Sequence, residues 1–171
     1  MKKIIIALLV IVGAAVSAQA QKFALVDMEY ILRNIPAYEM ANEELNQLSA
    51  KWQKEIEKRQ SEASQMYQNY QSEAVYLTAD QRREREDKIA AVEKNAAELR
   101  YAYFGPEGEL YQKRAALVEP IQNEIYEAIK KLADEKGYQA IIDRASATEI
   151  IFASPRIDVS NDVLARLGYS K

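Results

Sequence analysis

Few residue types in this chain can do catalytic chemistry near neutral pH. There is no histidine and no cysteine, which removes the usual general base, the thiolate nucleophile and the soft metal ligands together. Carboxylates remain, and Asp27 and Asp143 stand out because each closes a short apolar run. A carboxylate so placed ordinarily caps the helical turn that follows. The other acids fall on long helical stretches, where they serve solvation and i,i+4 pairing. Gly105-Pro106-Glu107-Gly108 lacks the preceding strand and the spacing of a phosphate-cradling loop, and no G-x-S-x-G elbow is present. The chain is therefore expected to be no enzyme and to hold no cofactor or metal.

Aromatic residues carry more information. Eleven tyrosines are present, and Met66, Tyr67, Tyr70, Tyr76, Tyr101, Tyr103, Phe104 and Tyr111 lie where a plain coiled coil would use leucine and isoleucine. Tyrosine offers an apolar ring with a wet hydroxyl, and methionine adapts its shape. Such a lining suits many weak, exchangeable contacts. For Tyr67, Tyr70 and Tyr103, filling a helix–helix seam is an equal alternative, because they sit on the apolar stripe.

That stripe runs through Leu45, Leu48, Trp52, Ile56, Ala63, Tyr67, Tyr70, Ala74 and Leu77, in steps of three, four or their multiples. It predicts one long helix from about Ala41 to Leu77, roughly 55 Å at about 1.5 Å per residue. Thr78-Ala79-Asp80-Gln81 then offers an N-cap and a capping box, so the chain turns there. A return helix follows through Ile89, Val92, Ala96, Leu99 and Tyr103, antiparallel to the first. Gly105, Pro106 and Gly108 interrupt it and form a candidate hinge. The stripe resumes through Leu117, Ile121, Ile125, Ile129 and Leu132, with a bend expected at Pro120, and stops at a glycine C-cap, Gly137.

Short strands are expected at both ends: Phe23 to Val26, Tyr138 to Ile142, and Glu149 to Ala153, the last two neighbours through the turn between them. Met28 begins a short helical turn, and Ser160-Asn161-Asp162 is expected to cap a closing helix, Val163 to Leu167, ended by Gly168. The fold class is mainly α with a small β body. The head comes from about 21–37 and 138–171, and an inserted helical arm covers about 38–137, in a single domain. Strands this few bury little and are marginal alone. Self-association is thus expected through Phe23, Leu25, Val26, Ile141, Ile142, Ile151 and Phe152, and periodicity leaves dimer and trimer open.

Lys2 and Lys3, the apolar run Ile4 to Val12, and Ala18-Gln19-Ala20 form the three parts of a cleavable export signal, residues 1–20. Its removal takes two lysines from the 23 Lys and Arg that face 26 Asp and Glu, which moves the formal net charge from −3 to −5. An acidic balance argues against nucleic acid. Arg82, Arg83, Arg85 and Lys88 cluster, but Glu84, Glu86 and Asp87 interleave with them, as on a solvated helix face.

Taken in order, Phe23-Ala24-Leu25-Val26-Asp27-Met28-Glu29-Tyr30-Ile31-Leu32, Phe104-Gly105-Pro106-Glu107-Gly108-Glu109-Leu110-Tyr111-Gln112-Lys113-Arg114, Lys136-Gly137-Tyr138 and Ile157-Asp158-Val159-Ser160 resemble the Skp/OmpH family of periplasmic chaperones, Bacteroidetes branch. The likeness covers essentially the whole mature chain. It implies a homotrimer with a β-barrel body and three helical arms around a cavity. It also implies a periplasmic, ATP-independent holdase for unfolded outer-membrane β-barrel proteins, with membrane contact transient at most. Well-known family members are strongly basic, so a lipopolysaccharide site is not carried over to this acidic chain. A structural coiled-coil spacer of the envelope is the alternative reading.

Overall fold

A computed structural model describes residues 22–147 and 149–169; the export signal lies outside them. The chain divides into two compact units, residues 35–123 and residues 22–34 with 124–169. No helix among the described residues is long and apolar enough to cross a membrane.

The hairpin unit is built on α2, Pro36–Glu73, and α3, Ala79–Phe104; α1 is the short helix Met28–Arg33 before them. Pro36 occupies the first turn of α2, where its missing amide is no loss. The buried residues of α2 are Ala41, Leu45, Trp52, Ile56 and Ala63, spaced four and seven apart, and those of α3 are Ile89 and Ala96, seven apart. A seven-residue repeat keeps one narrow seam facing the partner helix. Tyr103 pairs with Glu55, and Arg85 with Glu73, so numbers rise on one helix as they fall on the other and the two run antiparallel. α2 stops at Glu73, before the expected Leu77, because Ala74–Tyr76 tighten into a 3₁₀ turn. The expected capping box then starts α3: Gln81 N donates to Thr78 Oγ1 at 3.3 Å and Thr78 N to Gln81 Oε1 at 2.9 Å.

Between α3 and α4, Glu109–Lys136, the Gly105–Gly108 break is a tight corner. A Cβ on Gly105 would lie 2.4 Å from the Tyr101 carbonyl oxygen, and one on Gly108 would lie 2.8 Å from the carbonyl oxygens of Ala102 and Tyr103. Close backbone approach therefore demands both glycines. α4 continues through Pro120, which has no amide to give the Ala116 carbonyl.

The base unit holds a two-stranded parallel sheet, β1 Phe23–Val26 against β2 Ala140–Asp143, in the register Phe23 to Ala140 through Val26 to Asp143. The far edge of β1 is taken at Asp158: the Val159 amide donates to the Leu25 carbonyl at 2.8 Å. The third strand expected at Glu149 to Ala153 does not form; the described residues of that stretch are irregular. Among the described residues the stretch adds to neither strand: the second edge of β1 is taken at Asp158, and β2 pairs with β1 alone. The second strand also starts later than expected, because the Tyr138 amide closes the end of α4 on the Ala133 carbonyl, with Gly137 at φ +69°. Gly137 thus ends α4 as expected.

Side-chain hydrogen bonds tie the base crossings together. The Asp27 amide donates to Ser160 Oγ at 2.8 Å, and Ser160 Oγ donates to Asp158 Oδ1 at 2.6 Å. Arg144 reaches Asp27 at 3.1 Å and Asp158 at 3.4 Å. Because its hydroxyl is used this way, Ser160 does not cap the closing helix. α5, Ser160–Arg166, starts three residues before the expected Val163, with Val159 as its N-cap and without a side-chain cap bond. Asp27 does cap α1, accepting from the Tyr30 amide at 2.8 Å.

Candidate functional site

Two open grooves run along the hairpin unit, and they follow from what its seam lacks. Ala63 and Ala96 occupy seam positions where a larger side chain would fill the space, and Ser64 and Ala97 lie beside them. The trough they leave, about 840 Å³, is rimmed by Tyr67, Tyr101 and Phe104, with Glu93 and Arg100 also on its lining. A second groove of about 330 Å³ lies between α2 and the glycine corner, lined by Leu45, Phe104, Pro106, Leu110, Tyr111 and Arg114 with polar residues of α2.

The eight aromatic and methionine candidates separate into three groups. Tyr67, half exposed, Tyr101, 74% exposed, and Phe104 converge on the larger groove, while Phe104 and Tyr111 serve the smaller one. Tyr70 and Tyr103 are engaged across the seam. Tyr103 stacks on Trp52 with ring centroids 4.8 Å apart and planes 9° off parallel, and its hydroxyl donates to Glu55 at 3.1 Å. Partial desolvation, then the hydrogen bond to Glu55, holds that hydroxyl above its ordinary range. The Tyr70 hydroxyl donates to Glu86, and this bond raises its pKa. Tyr76 stands alone at the tip, 86% exposed, and Met66 is half-buried.

Three residues that shape this surface escaped the sequence reading. Trp52 was visible only as one stripe position, yet it anchors Tyr103 face-on and Phe104 edge-on, the latter at 6.3 Å. Of the cations on the two groove linings, Arg100 carries no motif, and Arg114 was visible only as the last residue of a family-like stretch. The signal that could have revealed the larger trough is alanine at two successive seam positions of facing helices.

In the base unit, the seven association candidates divide by burial. Leu25 and Val26 are consumed by the unit's own core, while Phe23, Ile142, Ile151 and Phe152 are exposed, Ile151 fully. Ile141 is half-buried. Asp143 accepts from the Met28 amide at 3.1 Å and the Ala145 amide at 3.0 Å. Burial pulls its pKa up, but hydrogen bonds from Met28, Ser146 and Ala145 outweigh that and hold it below the ordinary carboxylate value. Among the described residues no cluster of ligating side chains could hold a metal.

A long helical hairpin inserted after the first strand of a small parallel sheet defines a recognisable class, and a family model agrees: residues 22–167 match the OmpH-like outer membrane proteins. The chain belongs to that family. Its relatives include the chaperone protein Skp of Yersinia enterocolitica, 24% identical over 91% of each chain. An uncharacterised protein of Aquifex aeolicus is 25% identical over 98% of this chain and 96% of its own. A solved structure described as an OmpH-like outer membrane chaperone of Caulobacter crescentus superposes with a TM-score of 0.68 at 10% identity. It covers 88% of this chain and 86% of the other, and shows a shared fold.

Proposed function

We propose that this protein is an ATP-independent periplasmic holdase that takes up unfolded outer-membrane proteins between helical arms and keeps them from aggregating. The observation that carries the reading is the pair of open, aromatic-rimmed grooves on the hairpin of an OmpH-family chain. Unfolded β-barrel chains expose unpaired strand edges and alternating apolar side chains, and isolating each client prevents their association. Tyrosine rims give many weak contacts, so release needs no nucleotide. Tyr67, Tyr101, Phe104 and Tyr111 are the contacts we assign first, with Tyr76 and Met66 as peripheral ones.

Assembly as a homotrimer through the base fits this role. Phe23, Ile142, Ile151 and Phe152 are exposed in the single chain, and the irregular stretch around Ile151 can become a strand once another copy supplies a ladder. Export by the segment 1–20 places the protein in the periplasm. Pro106, beside the glycine corner, is the hinge position we assign for arms that splay. Its test is Pro106→Ala with both glycines kept, since a Cβ on either would collide with backbone; an unchanged client-size range rejects the hinge.

The direct test dilutes an unfolded outer-membrane protein from urea with and without the purified mature chain and follows light scattering. Suppression near one trimer per client is expected; scattering that is unaffected at excess chain rejects the reading. An envelope spacer is the second reading. The use of Tyr70 and Tyr103 inside the seam favours it, and it predicts docking to one rigid partner with no effect on scattering.

A further inference from the structure

We infer that the smaller groove is a receptor for the C-terminal residue of an unfolded chain, with the terminal side chain on its apolar wall and the terminal carboxylate on Arg114. The inference rests on the holdase reading and assigns a chemical class to one part of what is held. Its first support is charge. The chain carries a formal net charge of −3, yet the lining of this groove contains Arg114 and no aspartate or glutamate. Arg114 forms no ion pair among the described residues. The larger groove, by contrast, carries both Glu93 and Arg100 on its lining and so has charges of both signs.

The second support is how the groove is built. Asn42, Leu45, Asn46 and Ser49 follow the i, i+3, i+4, i+7 spacing that shares one face of α2, and Leu110, Tyr111 and Arg114 share one face of the first turns of α4. The glycine corner that brings these faces together tolerates no Cβ. One face thus offers amide and hydroxyl groups able to bond a final peptide unit, and the other offers a guanidinium, whose planar fork matches a carboxylate in a bidentate pair.

The third support is size. A volume of about 330 Å³ takes one large residue and leaves no room for a run of them. Within a single residue, only a chain end carries an apolar side chain and a carboxylate on the same Cα. Aspartate and glutamate use the side chain itself for the charge and leave the apolar wall uncovered. Capture of a terminal carboxylate is an established mode of peptide recognition, and here it would give a loosely held client one fixed end.

The experiment uses the full mature chain and a decapeptide of alternating apolar and polar residues, labelled at its N-terminus and ending in phenylalanine with a free carboxylate. Anisotropy gives its Kd beside those of the same peptide as the C-terminal amide and of an amidated peptide with an internal glutamate. Binding of the acid about tenfold tighter than either amide is expected, the scale of one charge-assisted pair. Arg114→Gln should erase that gap and Arg114→Lys retain part of it, with helix content checked by circular dichroism.

Equal binding of acid and amide overturns the inference. So does an internal glutamate that matches the free end, or a gap that survives Arg114→Gln. Wild-type chain that suppresses scattering yet ignores the carboxylate rejects the end receptor and leaves the holdase; chain that does not suppress scattering rejects the holdase itself.

Discussion

The base and the hairpin are stabilised by different physics. In the base, a parallel ladder of four residue pairs and a chain of directed bonds through Asp27, Arg144, Asp158 and Ser160 join segments more than a hundred residues apart in sequence. In the hairpin, the two helices meet along one narrow stripe with a stacked Trp52–Tyr103 pair and a capping box at the turn. The bonds between them, Tyr103 to Glu55, Tyr70 to Glu86 and Arg85 to Glu73, join side chains at the margins of that stripe. Directed bonds fix geometry, so the base has little freedom. A stripe with alanine at Ala63 and Ala96 joins two helices and leaves room along its length, and that room is the candidate site. The contrast teaches that one chain can separate rigidity from receptivity by choosing bonds in one place and thin packing in another.

The largest expected effect falls on the hairpin. Trp52→Ala removes the central ring of the seam and should destabilise by about 3–5 kcal/mol, read as a fall in the urea midpoint with loss of the near-ultraviolet signal of the aromatic stack. A drop under about 1 kcal/mol would mean that the stripe is held by something other than Trp52. In the base, Ser160→Ala leaves the Asp27 amide without its acceptor and should cost about 1–3 kcal/mol. A value near zero breaks the claim that directed bonds hold this unit.

At the tip, Thr78→Ala deletes one half of the capping box and should cost about 0.5–2 kcal/mol. Hydrogen exchange should speed up at the first turn of α3 and stay unchanged in the base; acceleration in both units would erase the distinction drawn between them.

Acidification probes the base by another route. The folded pKa of Asp143 lies below its unfolded value, so its contribution is fully present above the ordinary carboxylate pKa, about 3.9, and is lost as pH falls through the folded value. Asp143→Asn should therefore be less stable than wild type at pH 7 and converge on it near pH 2; parallel pH profiles would exclude Asp143 as the source.

The smallest effect is expected at the groove rim. Tyr101→Ser should leave the midpoint within about 0.5 kcal/mol, as for ordinary exposed sites, while weakening suppression of scattering by an unfolded client. Unchanged suppression would remove Tyr101 from the holding surface and sharpen the division between rim and seam tyrosines.

Several elements were legible because their causes are local. The turn at Thr78–Gln81, the part of the α2 stripe through Leu45, Trp52, Ile56 and Ala63, the cap at Asp27 and the stop at Gly137 each depend on residues within one or two helical turns, and each is found where local rules place it. The misreadings share the opposite property. Glu149 to Ala153 has the composition of a strand, but a strand forms only where a partner ladder is joined, and here the sheet stops at β1 and β2, with Asp158 on the second edge of β1. Ser160 has the identity of a cap, but its hydroxyl is claimed by the amide of Asp27, 133 residues away.

The candidate site was legible in part. Aromatic enrichment of the arms was visible, whereas the sorting of Tyr67 and Tyr101 to a groove and of Tyr70 and Tyr103 to the seam depends on which face each ring turns.

By itself the sequence determined a helical hairpin, its turning point, its glycine breaks and the absence of histidine and cysteine chemistry, because periodicity, capping and composition act over a few residues or none. Only the tertiary structure decided that β1 and β2 pair in parallel, that Asp158 closes the second edge, and that alanines and a glycine corner leave two grooves. Those features arise where segments far apart in the chain meet, and no local pattern records a partner's position.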